Sequence, residues 1–222
     1  MGRQTRAKAT RKKILDAAVD LFSQRGYSST GLGDIIDRAR ITKGALYYHF
    51  DSKESLATAI IEDATDRVIG AFDGVASSAS PALETMIHGS FVVLSMTAHD
   101  DLARAGRQLA QALGQFSEAG ATVYYRHWTT AVTTQARKAG DEGDLRPDVD
   151  PDVVAQTIIA VLLGVTQLSA ALATGANDML TRLTWAWEML LPGIASEESL
   201  DYFQQYLSRA SVRFGQPVAP PD

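Results

Sequence analysis

The apolar side chains of this 222-residue chain recur every three or four positions, which is the spacing of one face of an α-helix. In the first quarter of the chain the pattern predicts a helix over Thr10–Arg25, a short helix over Asp34–Ala39 and a third that begins at Thr42. Asp51 and Glu54 have capping-box spacing and predict the start of a long fourth helix. The tight connection between the second and third helices predicts a helix-turn-helix unit.

The rest of the chain continues the helical spacing, with prolines and glycines at the breaks, and no alternating strand pattern occurs. The predicted helices begin near Pro81 and Leu102 and then cover Ala121–Ala139, Val153–Ala173, Asn177–Leu191 and Ser196–Arg213. The predicted fold class is therefore all-α. Two of these helices, 153–173 and 177–191, carry more apolar surface than one body needs to bury, so we expect a four-helix seam between two copies, a homodimer.

Charge is distributed unevenly. Residues 1–53 contain 11 Lys and Arg against 5 Asp and Glu, a net charge of +6, whereas the remainder has a net charge of −11. This split predicts that only the amino-terminal part, with a mobile basic arm at its start, meets a polyanion. The alternative is a solvated basic tail on an acidic protein.

Several compositional features exclude other classes of protein. The chain has no cysteine, which excludes disulfides and thiolate metal sites. We expect no signal peptide and no membrane span, because no stretch approaches the roughly 20 apolar residues that a span requires. The expected location is the cytoplasm. The four histidines lack metal-ligand spacing and no phosphate-binding loop or serine elbow occurs, so neither an enzyme nor a cofactor is expected.

The segment Thr42–Phe50, with sequence TKGALYYHF, is the strongest candidate for contact with a polyanion. Lys43 and Lys53 could neutralise phosphates, and the hydroxyls of Thr42 and Tyr47 could donate to phosphate oxygens. Gly44 costs a helix roughly 1 kcal/mol relative to Ala, which suggests that something approaches the backbone there. Packed aromatics without any such role are the alternative. Two apolar positions of the segment are assigned to the core, Leu46 and Phe50, whereas Tyr48 could face either DNA or the core.

These motifs resemble the TetR family of transcriptional regulators. The resemblance covers about residues 9 to 56 and rests on Ile14–Ala18, Gly26-Tyr27, Thr42–Phe50 and Ser52–Glu54. It implies an all-helical homodimer of nine or ten helices per chain, whose amino-terminal unit binds double-stranded operator DNA and whose body binds a small effector that releases the DNA. The predicted DNA contacts are Thr30, Thr42, Lys43, Gly44, Ala45, Tyr47, Tyr48, His49 and Lys53.

The body resembles a branch of that family, the γ-butyrolactone-type signal receptors that control antibiotic production and morphology. The resemblance rests on Ala103–Leu109, Trp128 and Trp187–Ile194. From the sequence alone Trp128 is either a core aromatic or the wall of an apolar pocket, and the resemblance favours the pocket because receptors of this branch have a tryptophan there. Polar residues of the apolar helices could orient a lactone or satisfy one another. The predicted ligand contacts are Met86, Phe91, Gln111, Tyr124, Tyr125, Trp128, Thr157 and Val161.

The expected organisation is a DNA-binding domain over residues 1–53, a ligand-binding and dimerisation domain over 54–214 and a disordered tail over 215–222. The expected function is a repressor that a small apolar signalling molecule of butyrolactone type releases from a near-palindromic operator. Two alternatives within the same class stay open. One is a pseudo-receptor that responds to an antibiotic or another apolar metabolite, and the other is an orphan regulator whose pocket is filled.

Overall fold

The computed structural model describes residues 2–77, 81–114, 118–172 and 174–215, and within them the side chains of all but residues 2–3, 118–124 and 176–177. The described residues form ten helices, which confirms the predicted all-α fold class. They are α1 (Gly2–Arg25), α2 (Leu32–Ala39), α3 (Lys43–His49), α4 (Lys53–Ala76), α5 (Ala82–His99), α6 (Asp101–Gly114), α7 (Glu118–Asp141), α8 (Pro151–Ala171), α9 (Ala176–Ile194) and α10 (Leu200–Gly215). One isolated β-bridge joins Leu145 to Ala195. The tail predicted to be disordered lies, apart from residue 215, outside the described residues.

The chain divides into two compact units. Unit 1 comprises Met1–Arg67 and His99–Tyr125, and unit 2 comprises Val68–Ala98 and Arg126–Asp222. Helices α4 and α7 each begin in unit 1 and end in unit 2. This division by packing differs from the functional boundary expected between residues 53 and 54, which stays a prediction.

The amino-terminal segment is helical. We expected a mobile arm before Thr10, but α1 already begins at Gly2. The segment contains Ala7 and Ala9 among long arginine, lysine and glutamine side chains and has no proline, a composition with high intrinsic helix propensity. That propensity outweighs the unfavourable placement of basic groups at the positive end of the helix dipole.

The core of unit 1 forms where α1 packs against α2, α3 and α6. Its fully buried side chains include Ile14, Ala18, Ile35, Leu46, Leu56 and Ile60. Helix α4 begins with a reciprocal pair of serines: the Ser55 N–H donates to Ser52 Oγ at 3.0 Å and the Ser52 N–H donates to Ser55 Oγ at 3.1 Å. The predicted capping box of Asp51 and Glu54 is therefore wrong by one position.

In unit 2, α9 packs against both α8 and α10. Large apolar side chains stay exposed on α8, at the residue that caps its end and on α9 in the single chain, namely Val153, Leu168, Leu172, Trp185 and Met189. Helix α8 has the length and composition to cross a membrane. Its buried positions, however, recur at helical spacing along one face, as they do in a helix that covers a protein core.

Candidate functional site

Helix α3 presents a polar and aromatic face to solvent. Its amino end is capped by Thr42, whose Oγ1 accepts a hydrogen bond from the Ala45 N–H at 3.2 Å. Leu46 and Phe50 are buried, as predicted, and attach the helix to the core of unit 1. The residues between these two anchors therefore point outwards, and Tyr48 is 75% exposed.

The structure brings most of the predicted DNA contacts together on this face. Thr42, Lys43, Gly44, Tyr47 and Tyr48 are exposed, and Ala45 and His49 are half-buried. The Lys43 ammonium lies 5.8 Å from the centroid of the Tyr47 ring, and the Tyr48 and His49 rings meet edge to face. An exposed ammonium, phenol hydroxyls and a helix amino end together form a surface that favours anions.

Thr30 and Lys53 lie away from that face and connect other elements. The Thr30 side chain is buried, and its hydroxyl donates to the Gly26 carbonyl at 2.9 Å. The Lys53 ammonium donates to the carbonyls of Tyr27 and Thr30, each at 3.0 Å, and lies 4.3 Å from the centroid of the Tyr27 ring. These contacts connect the start of α4 to the turn before α2. A DNA contact by either residue stays a prediction.

A small, nearly closed cavity lies beside Trp128 in unit 2. Its volume is about 10 Å³, room for at most one water molecule. Helices α4, α5, α7 and α8 supply the lining, which consists of Phe72, Met86, Ser90, Val93, Trp128, Val132, Ile158 and Leu162. The ring of Phe72 meets the indole of Trp128 edge to face with centroids 6.0 Å apart. Phe72 also lies against Gly89, where an added Cβ would come within 2.4 Å of the ring.

The indole N–H of Trp128 is buried and has no hydrogen-bond partner. The other buried tryptophan behaves differently, because Trp187 Nε1 donates to Ser90 Oγ at 2.9 Å. An unsatisfied buried donor is rare and destabilising in a folded protein. The Trp128 N–H therefore lacks the partner that the Trp187 N–H has.

Two of the predicted ligand contacts, Met86 and Trp128, line this cavity, and the other predicted contacts whose side chains the structure describes do not. Phe91 instead stacks on Phe214 with centroids 5.4 Å apart. Thr157 is exposed, and its hydroxyl donates to the carbonyl of Val153 at 2.8 Å. Its hydrogen bond is therefore satisfied within its own helix, without a ligand. The remaining predicted contacts are Val161, which is half-buried; Gln111 and Tyr125, which belong to unit 1; and Tyr124, whose side chain lies outside the described residues. Their roles stay predictions.

Sequence reasoning missed most of the lining. Phe72 and Ser90 are not among the predicted ligand contacts. The available signal was helical spacing, since Met86 and Ser90 on α5, Trp128 and Val132 on α7, and Ile158 and Leu162 on α8 are each separated by four residues. The spacing alone does not say which faces meet. Among the described residues no group of three or more His, Asp or Glu side chains could hold a metal ion.

Comparison with known families gives two matches. Residues 14–60 match the family described as "Bacterial regulatory proteins, tetR family", and residues 80–196 match the family described as "Tetracyclin repressor-like, C-terminal domain". The second match alone covers more than half of the chain. The chain belongs to the TetR family.

Individual relatives of this TetR-family protein are consistent with that assignment. The A-factor receptor protein of Streptomyces griseus is 33% identical over 195 residues, which are 88% of this chain and 67% of the relative. A solved gamma-butyrolactone receptor, described as an ArpA-like protein, superposes with a TM-score of 0.75 at 28% identity over 94% of this chain and 99% of that one. CprB of Streptomyces coelicolor, solved in complex with its biological operator sequence, superposes with a TM-score of 0.71. The identity is 29%, and the match covers 94% of this chain and 99% of that one.

Membership fixes the class of activity. The TetR-family protein is a DNA-binding transcriptional regulator of the ligand-responsive kind that dimerises, and it is not an enzyme. The exposed face of α3 belongs to the part that matches the DNA-binding family, and the Trp128 cavity belongs to the part that matches the carboxy-terminal family.

Proposed function

We propose that this protein is a repressor that binds a near-palindromic operator as a homodimer and leaves it when a small apolar molecule of γ-butyrolactone type enters the Trp128 cavity. In this proposal residues 1–53 contact DNA, residues 54–214 sense the ligand and form the dimer, and the protein acts in the cytoplasm. The single observation that carries the proposal is the position of Phe72. This residue closes the cavity against Trp128 and belongs to α4, the helix that also carries Lys53.

The exposed face of α3 supports the DNA part of the proposal. Lys43 and Tyr47 offer one positive charge and one hydroxyl donor to phosphate oxygens, and the exposed Tyr48 is free to meet the groove. The two copies of α3 in a dimer would enter successive major grooves about 34–36 Å apart, or a multiple of that spacing, which requires a near-palindromic site.

The orphan donor of Trp128 supports the ligand part. A lactone offers a carbonyl oxygen, which could accept the indole N–H inside an otherwise apolar lining. A ligand of that size needs a pocket of at least roughly 300 Å³, so the cavity of about 10 Å³ must open. Opening requires Phe72 to move, because its ring forms the contact with Trp128.

In this proposal, release of DNA follows because α4 carries both Phe72 and Lys53. The ligand binds only the open cavity, and an open cavity displaces α4 at Phe72. If the operator selects the closed form, ligand and DNA compete through the conformational equilibrium and not through a shared surface. Allosteric coupling of about 1–3 kcal/mol, the usual range for proteins, would weaken operator binding roughly 5- to 150-fold.

The small size of the cavity also favours a second candidate, the orphan regulator whose pocket is filled. In that case the Phe72 ring is a permanent part of the core, and no small molecule changes operator binding. A pseudo-receptor that responds to an antibiotic differs from the first proposal only in the ligand, and the same experiment separates all three.

The experiment measures DNA binding and ligand response together. The DNA is the region upstream of the protein's own gene, labelled for fluorescence anisotropy. We expect tight binding that weakens steeply with salt, and a Lys43→Ala variant whose slope of log K against log[salt] is smaller by about 0.9. Lys138→Ala on α7 is the matched control and should leave the slope unchanged. Salt-independent binding, or a Lys43→Ala slope equal to that of the wild type, contradicts the DNA part.

The ligand part is tested by adding γ-butyrolactones that carry an alkyl chain, and then antibiotics, to the preformed complex. Release by lactones together with a change in tryptophan fluorescence supports the first proposal, and release by antibiotics alone supports the pseudo-receptor. If no compound releases the DNA, although a Phe72→Ala variant binds lactone, the pocket is filled and the protein is an orphan regulator.

A further inference from the structure

The turn between α2 and α3 holds an arginine in a conformation that suits glycine. Arg40 has φ 53° and ψ 51°, and it is the one non-glycine residue with positive φ among those the structure describes. The left-handed region is disfavoured for side chains with a Cβ, whereas glycine enters it freely. The Arg40 N–H closes the last turn of α2 on the carbonyls of Ile36 and Asp37, so the turn fixes this geometry. An unfavourable residue in a fixed turn points to a role for its side chain.

The Arg40 side chain lines a surface groove in unit 1 that also contains two carboxylates. Both carboxylates already have a partner. Asp16 is paired with Lys12 at 2.7 Å, and Asp20 is paired with Arg38. The acidic groups of the groove are thus neutralised by cations other than Arg40.

Two positive charges of the groove stay uncompensated. Within the described part of the chain, neither Arg40 nor Lys13 has a carboxylate within 4.0 Å, although both are exposed and line the same groove. Arg40 stands two residues before Thr42, the cap of α3. A guanidinium and an ammonium on one groove favour a tetrahedral oxyanion.

We infer that Arg40 and Lys13 form a phosphate site that holds a phosphodiester of the DNA backbone beside α3. This inference rests on the proposed function and adds to it a contact made outside α3 and outside the predicted set of DNA-binding residues. The site fixes the position of the helix on the duplex and reads no base, since a phosphate carries no sequence information. Glycine would relax the turn but would lose the contact.

The inference is tested with a duplex of about 30 base pairs, roughly three helical turns, selected from a random library by the wild-type protein. Arg40→Gly should fold as well as the wild type, with an equal or higher melting temperature. Its affinity at 0.1 M salt should fall about eightfold, and its slope of log K against log[salt] should shrink by about 0.9, the contribution of one phosphate contact.

Two further variants assign the cause. Arg40→Lys keeps the charge and should keep the slope. Arg209→Gln removes one positive charge from exposed Arg209 of α10 and should leave the slope unchanged. Circular dichroism and the melting temperature establish that each variant is folded.

The outcomes separate this site from the proposed function. If the wild type shows no salt-dependent DNA binding, the proposed function fails and the site fails with it. If the wild type binds and Arg40→Gly keeps its full affinity and slope, the site alone is refuted. The same holds if Arg40→Lys loses as much as Arg40→Gly, or if Arg209→Gln loses an equal slope, because the effect would then not come from a charge at this position.

Discussion

The two buried tryptophans of unit 2 differ in the hydrogen bonding of the indole, which allows a comparison between them. Trp128 and Trp187 are 5% and 1% exposed. Trp187 donates its N–H to Ser90 Oγ, whereas the N–H of Trp128 has no partner. The substitutions Trp128→Phe and Trp187→Phe remove the same atoms from similarly buried positions, so their losses of apolar contact are comparable.

The difference between the two variants follows from the hydrogen bonds. Trp187→Phe loses a satisfied bond, whose net contribution to stability is about 0.5–1.5 kcal/mol. Trp128→Phe instead removes a buried donor that is unsatisfied, a defect that costs about 1–3 kcal/mol. We therefore expect the free energy of unfolding of Trp187→Phe to lie about 1.5–4.5 kcal/mol below that of Trp128→Phe.

The measurement is urea unfolding followed by far-ultraviolet circular dichroism, since both substitutions alter tryptophan fluorescence. Protomer concentration must be equal in all samples, because the stability of a dimer depends on it. Equal m-values are required for the comparison. If Trp128→Phe loses as much stability as Trp187→Phe or more, the Trp128 N–H is satisfied in the ligand-free protein, and the argument for an acceptor on the ligand fails.

Three further perturbations test other parts of the account. Gly89→Ala places a methyl group 2.4 Å from the Phe72 ring. We expect the free energy of unfolding measured in urea to fall by about 1–3 kcal/mol, and operator binding measured by anisotropy to weaken. Unchanged stability would contradict the contact between Gly89 and Phe72. Gly70→Ala, on α4, adds a Cβ that meets no atom within 4 Å beyond the adjacent backbone of its own helix, and it should stabilise the protein by about 0.5–1 kcal/mol; a loss would contradict the open surroundings of Gly70. Burial, and then the charge of Arg213, lower the pKa of His88 below its ordinary 6.5, so the unfolded chain binds the proton more readily. Stability should therefore fall as the pH drops below about 6.5 towards the folded-state pKa, and a His88→Asn variant should show a flatter pH profile in thermal unfolding; an equal slope would contradict this assignment.

The helices could be predicted because their signal is local. Spacing of apolar residues located every helix that the structure describes, including the short α2 and α3. The predicted start of α3 at Thr42 agrees with the structure, where the threonine in front of the helix satisfies a free N–H. Helix ends were less predictable. Ser52 and Ser55 took the role expected of Asp51 and Glu54, since both pairs have the same spacing and only the backbone path selects one of them. Likewise α9 passes through Pro192 to Ile194, where a missing N–H in a last, exposed turn costs little.

A candidate site could be predicted from the sequence when it depends on a single helix, and less well when it depends on how several helices pack. The exposed face of α3 follows from one helix whose buried anchors were identified. The cavity depends instead on which faces of four helices meet, and periodicity does not determine this. Thr157 illustrates the difference, because a hydroxyl in an apolar helix suggests a ligand contact but here bonds to the carbonyl one turn before it.

Helix α4 explains why a nearly closed cavity is compatible with a sensor. Its first residue, Lys53, is hydrogen-bonded to the carbonyls of Tyr27 and Thr30, and these bonds belong to the amino-terminal helical unit. Near its other end, Phe72 fills the space beside Trp128. A wide, preformed pocket would bind its ligand without moving either end of the helix, and such binding could not change the DNA affinity. In the proposed mechanism the cavity opens only when Phe72 moves, so ligand binding is weaker by the free energy of opening. That free energy is the part of the ligand's binding free energy that can change the affinity for DNA.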